Sequence, residues 1–250
     1  MTVPQPPQGA AARVAAAQEP PSQDPALGRR LASYPAVRWS TLLVLSHVLL
    51  IVVNTAMVIT IPLAVRLLVL LRRSPNLSAA SAAKRVDLYQ RGVMICGRNG
   101  PEAVYRFDST GLRQNIVTPN VYGIRLNTRY AFVLTDPEGR TETLSNLYQD
   151  IAELGARLQQ EITLAQADSA VAAVRAGQEA PFGPYALRPE GIATPRGLLA
   201  WEALERVTVL QGEVRIHARG KRLPFARVGA HKVVNLDCLL RSIARLRPSA

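Results

Sequence analysis

The chain is poor in the residues from which most catalytic and metal sites are built. It has two cysteines, Cys96 and Cys238, and three histidines, His47, His217 and His231, in 250 residues. Two isolated cysteines exclude a disulfide framework and a CxxC-type metal site, and their apolar neighbours mark them as small core residues. No GxSxG, Walker A, HExxH, GxGxxG or paired-carboxylate pattern occurs. The glycines of CGRNG (residues 96–100) suit a hairpin turn better than a phosphate cradle. Aromatics make up 5% of the chain and do not alternate with basic residues, which argues against a stacking platform for nucleic acid. Lysine is nearly absent: Lys84, Lys221 and Lys232 stand among 30 basic residues, the rest being arginine. No enzyme, cofactor or metal is expected from this inventory.

The most informative absence is of charge between Ser40 and Val65. These 26 residues carry no ionisable side chain except His47. As a helix they reach roughly 39 Å at about 1.5 Å per residue. About 20 apolar residues suffice to cross a hydrocarbon core about 30 Å thick. The run is too long and too far from the start for a signal-peptide core, and it has no polar face for an amphipathic helix. A transmembrane helix over 40–71 is therefore expected, preceded by a Pro/Ala/Gln-rich and basic tail (1–39) and followed by a linker (72–83). Two helical arms turning at Asn54-Thr55 would each be too short to span. His47 alone within the run reads as a packing residue.

The net charge of +12 is unevenly placed. Residues 1–83 hold 7 basic and 2 acidic groups, residues 84–205 hold 13 and 14, and residues 206–250 hold 10 and 2. The excess thus lies beside the apolar run and in the last 45 residues, a pattern suited to a membrane-facing or partner-facing surface. Arg29, Arg30 and Arg38 precede the run, whereas Arg66, Arg72, Arg73, Lys84 and Arg85 follow it. The larger count after the run favours a single pass with the C-terminal part in the cytoplasm.

An internal repeat occupies the remainder. Leu88-YQR-Gly92-Val93 recurs 99 residues later as Leu187-RPE-Gly191-Ile192, and each copy continues to an aromatic–acid pair, Phe107-Asp108 and Trp201-Glu202. Each then shows strand-like segments and an amphipathic helix. The first helix has Leu147, Ile151, Leu154, Leu158 and Ile162 at helical spacing, with Ser145 or Asn146 as its start and Gly177 as its stop. The last begins near Asn235. Phe107, Phe132, Trp201 and Phe225 are expected in the cores.

Strands closed by one helix, about 100 residues long and repeated, resemble the plan of a pleckstrin-homology (PH) barrel. The strings VDLYQRGVMI, AVRAGQEAPFGPYALRPEGIAT, LLAWEALERV and KRLPFARV resemble a bacterial membrane-protein family with tandem PH-like domains and no assigned activity. The resemblance covers roughly residues 84–247 and implies an α+β fold: an N-terminal transmembrane helix, then PH-like units at 84–177 and 178–250, each a bent antiparallel sheet closed by a C-terminal helix. FDSTGL departs from the aromatic and paired acids usual there.

The best binding candidate is the basic hairpin of the second unit: Arg215, His217, Arg219, Lys221, Arg222, Arg227 and Lys232. PH-like domains commonly bind anionic headgroups with such strand–loop–strand cations. The expected function is a non-enzymatic adaptor anchored in the bacterial inner membrane, with the bilayer, anionic lipid headgroups or a partner protein as partners and no nucleic acid. The competing readings are an extracytoplasmic envelope-assembly domain meeting an acidic polymer, and an enzyme with an unrecognised site.

Overall fold

A computed structural model describes residues 23–24, 26–37, 41–56, 65, 69, 83–118, 120–121, 124–125 and 127–247. The fold is mixed α and β, with antiparallel sheets and three helices among the described residues. The first sheet contains β1 (Gln23–Asp24), β2 (Gly28–Pro35), β3 (Arg85–Tyr89), β4 (Gly92–Gly97) and β5 (Gly100–Arg106), in that order. Between β2 and β3 lies helix α1 (Thr41–Ala56). A three-stranded sheet follows, made of β6 (Gly111–Val117), β9 (Arg129–Thr135) and β10 (Thr141–Ser145). The short β7 (Asn120–Val121) and β8 (Ile124–Arg125) form a hairpin between β6 and β9. Helix α2 (Ile151–Arg175) ends this half.

The second half repeats the plan. Strands β11 (Ala180–Phe182), β12 (Tyr185–Arg188), β13 (Gly191–Thr194) and β14 (Gly197–Ala200) form a meander. Strands β15 (Leu204–Leu210), β16 (Glu213–Ala218) and β17 (Ala226–Gly229) form a second, and helix α3 (Leu236–Leu246) closes it. Apart from β1, α1 and the β7–β8 hairpin, which the first half adds, four strands, three strands and a helix thus occur twice. The aromatics end matching strands in matching ways: the Phe107 amide donates to Arg91 O at 3.1 Å, and the Trp201 amide donates to Glu190 O at 3.3 Å.

The repeated glycine has a steric cause. A Cβ on Gly92 would lie 2.6 Å from Tyr105 O, and one on Gly191 would run into Leu199 O. At both places the neighbouring strand backbone passes too close for any side chain. Gly155 serves α2 similarly, because a Cβ there would strike the Phe132 ring.

Two cores form. The first gathers Val86, Leu88, Val93, Phe107, Phe132, Leu134, Leu154, Leu158 and Ile162. The second gathers Tyr185, Leu187, Ile192, Trp201, Val214, Ile216, Leu236 and Leu239, with Phe225 packed at its edge. Helix α2 enters both: its first half lies in the first core, and Ala167 and Val174 lie in the second. The two halves are also latched by Asn235, in the left-handed region at φ 49°. Its amide donates to Leu112 O at 2.8 Å. Its Oδ1 accepts from the Leu112 amide at 2.6 Å, and its Nδ2 donates to Gln166 Oε1 at 2.8 Å. Gln166 Nε2 in turn donates to Phe107 O and Thr110 O.

Several expectations need correction. Residues 28–35 belong to the first sheet rather than to a tail, pairing with β3 from Arg30↔Tyr89 to Pro35↔Arg85. Asn146 does not cap a helix: its Oδ1 accepts from the Tyr130 amide and its Nδ2 donates to Thr128 O, and α2 begins only at Ile151. No helix among the described residues is long and apolar enough to cross a membrane. The transmembrane helix expected over 40–71 is therefore not seen; α1 has 16 residues, and residues 57–64 lie outside the described ones, as does most of the linker at 72–83.

Two substitutions test this packing. Gly191→Ala is expected to lose about 1–3 kcal/mol, by overpacking against the β14 backbone. Asn235→Ala is expected to lose about 1–3 kcal/mol, because the Leu112 amide and the Gln166 side chain lose a partner. Urea unfolding of each variant beside the parent chain measures both; an unchanged midpoint for either would remove that residue from this account.

Candidate binding surface

The basic residues of the second unit divide into three groups. On β16 the side chains alternate: Val214, Ile216 and Ala218 point into the core, while Glu213, Arg215 and His217 face outward, half-covered. Arg215 lies opposite Thr208 on β15 and Arg227 on β17. Directly opposed arginines repel, and Glu213 relieves this by accepting from Arg215 Nη2 at 2.9 Å and Nε at 3.1 Å. His217 Nε2 lies 3.3 Å from Thr208 Oγ1 and is paired across the sheet with Arg206. Arg215 and His217 are thus engaged with neighbours on their own sheet.

The second group is a loop. β16 ends at Ala218 and β17 begins only at Ala226, so residues 219–225 form the connection. Gly220 takes φ 69°, the Lys221 amide donates to Ala218 O at 3.1 Å, and the Phe225 amide donates to Ile216 O at 2.8 Å. Arg219, Lys221, Arg222 and Leu223 are all exposed, Leu223 by 78%. Arg196, from the β13–β14 turn, reaches this loop: its Nη1 donates to Phe225 O at 3.4 Å. Among the described residues, Arg196, Arg219, Lys221 and Arg222 form no ion pair. The loop therefore presents cations around one protruding leucine.

Lys232 forms the third group, alone. It sits on a short 3-10 turn (Ala230–Lys232) whose Ala230 amide donates to Gly212 O at 2.7 Å. That is the opposite end of β16, roughly 20 Å from the loop at about 3.3 Å per strand residue. The sequence did not single out Arg196 or Leu223. Arg196 is far along the chain from the loop, and Leu223 is apolar in a motif defined by charge.

Other concavities offer less. An open cleft of about 330 Å³ is lined by Gln90, Arg91, Arg106, Phe107, Asp108 and Glu161, among others. Arg106 Nη2 and Asp108 Oδ2 pair there at 2.7 Å, holding the carboxyl below its usual range. A second cleft of about 240 Å³ lies between Gln114–Ile116 and Val209, Gly212 and His231. Among the described residues no group of His, Cys, Asp and Glu could hold a metal ion.

The cysteines are buried in separate places. Burial pushes the Cys238 thiol up to about 11; burial and then the Asp87 carboxylate push Cys96 up. Raised values leave little thiolate at pH 8. An aromatic disulfide reagent is thus expected to react with both thiols promptly in urea and far more slowly with the folded chain; a rapid reaction without urea would contradict their burial.

The sequence profile of a family of unknown function (DUF6585) matches residues 22–248, a span that begins at β1 and takes in β2 and α1. No curated protein and no solved structure matches the chain.

Proposed function

Since the chain belongs to the DUF6585 family, whose function is unknown, its chemistry must be read from geometry, and we propose a non-enzymatic, membrane-anchored adaptor. Its two halves are read as PH-like units, on the order of four strands, three strands and a helix that they share once β1, α1 and the β7–β8 hairpin of the first half are set aside. The anchor is read as the apolar segment after β2. Leu45, Leu49, Val52 and Val53 of α1 are each more than half exposed. A leucine or valine left in water forgoes about 1.5–3 kcal/mol of burial, and lipid would restore it. The excess of cations after the apolar run favours the cytoplasmic leaflet of a bacterial inner membrane.

The observation that carries the binding reading is the loop at 219–223. An exposed leucine between unpaired cations suits a surface that is anionic outside and apolar beneath, which is the chemistry of an acidic bilayer. Each cation near such a surface contributes about 1 kcal/mol. A domain already tethered at the bilayer would be oriented by this attraction rather than recruited.

The test uses the full chain in phosphatidylcholine vesicles with and without about 30 mol% phosphatidylglycerol, the acidic fraction that supplies the surface charge. A polarity-sensitive dye on Leu223→Cys should shift to the blue in the acidic vesicles. Replacing Arg219, Lys221 and Arg222 by alanine should weaken the docked state by about 3 kcal/mol, about 100-fold. A dye that reports water in both vesicle types would remove the headgroup reading.

A further inference from the structure

We infer that the apolar segment leaves and re-enters the same face of the membrane, so that residues 23–37 and residues 83–247 lie on one side of it. This rests on the membrane-anchored reading above and replaces the single pass expected from sequence. The argument is topological. β2 precedes the apolar segment and β3 follows it, yet the two are neighbours in one sheet. The Ala36 amide donates to Lys84 O at 3.0 Å, so residues 37–83 begin and end within reach of one hydrogen bond. The Val37 amide donates to Leu147 O at 2.7 Å, and the Gln149 amide donates to Pro35 O at 2.9 Å, fixing the exit beside the start of α2. β2 is not an optional edge: Tyr34 is buried in the first core, and Ser33 Oγ donates to Asp87 Oδ1 at 2.5 Å. One crossing would place β2 and β3 on opposite sides of the bilayer, and the sheet could not form.

The internal repeat shows that the segment is an insertion. The corresponding strands of the second half, β11 and β12, are joined by Gly183 and Pro184 alone. Val44, His47 and Ile51 are half-covered at helical spacing, while Leu45, Val48, Leu49, Val52 and Val53 are exposed. Val65 and Val69, one turn apart, are helical and exposed as well. With both flanks on one face, the basic residues before and after the segment no longer compete in setting orientation. Arg29, Arg30 and Arg38 act together with Arg66, Arg72, Arg73, Lys84 and Arg85, and all favour the cytoplasm.

The experiment adds one cysteine at an exposed position on either side of the segment, Leu31→Cys or Gln160→Cys, to the full chain with Cys96 and Cys238 replaced by alanine. Bacteria expressing each are treated with a membrane-impermeant maleimide before and after lysis, and the unaltered chain is floated with carbonate-washed membranes. Both positions behaving alike supports the inference, and protection of both until lysis is the result expected. Labelling of one and protection of the other overturns it while leaving the anchor intact. Failure of the unaltered chain to float with membranes overturns the anchored reading, and this inference with it.

Discussion

Helix α2 is the constraint on which the arrangement of the molecule depends. It is one rod of 25 residues, roughly 37 Å long, that belongs to two cores. Its first half supplies Ile151, Leu154, Leu158 and Ile162 to the first, and its second half supplies Ala167 and Val174 to the second. Neither half of the chain can close its core without it, so the two are not beads on a flexible string. Asn235 and Gln166 fix the rotation about the rod, because their amides are used on both sides of the junction. The exposed pair between Arg245 and Asp168 adds little to this, as ion pairs in water generally do. The basic loop at 219–223 is thereby held in a set orientation to β2 and β3.

The second half acts as a reference for the first. Where the copies agree, the cause is local and strict: crowding at Gly92 and Gly191, and the matching backbone bonds of Phe107 and Trp201. Where they differ, the difference is an addition. One first hairpin turns in two residues, and the other carries a long apolar excursion. Such an excursion costs the sheet little, since loop-closure entropy grows only with the logarithm of length.

Much of this fold is legible in the sequence, and the part that is not has a common reason. The repeat shows because its signature, a leucine four residues before a glycine, records one tight hairpin. The core face of α2 shows because helical spacing is a local property. β2 is hidden because its partner lies beyond the apolar excursion, and because residues 28–35 alternate mostly between exposed and half-exposed positions, with only Tyr34 buried. Asn235 reads as a helix start from its neighbours alone, but its role in joining the halves depends on groups 69 and 123 residues away. In the basic surface, residue type was enough to find the cations. It could not separate Arg215, held by Glu213, from Lys221, or show that Lys232 sits at the far end of the strand.

The pairing of β2 with β3 also decides what counts as an independent piece of this protein. A polypeptide begun at Lys84, the natural place to cut after an apolar run, would lack the strand that covers β3. It would carry the bare amides and carbonyls of Arg85–Tyr89 and a gap where Tyr34 had been. An uncovered edge of that kind is a template for any extended chain, including the same strand of another copy. Self-association of such a fragment would report a missing strand rather than a native oligomer, and a peptide spanning residues 26–37 is the natural means of restoring it.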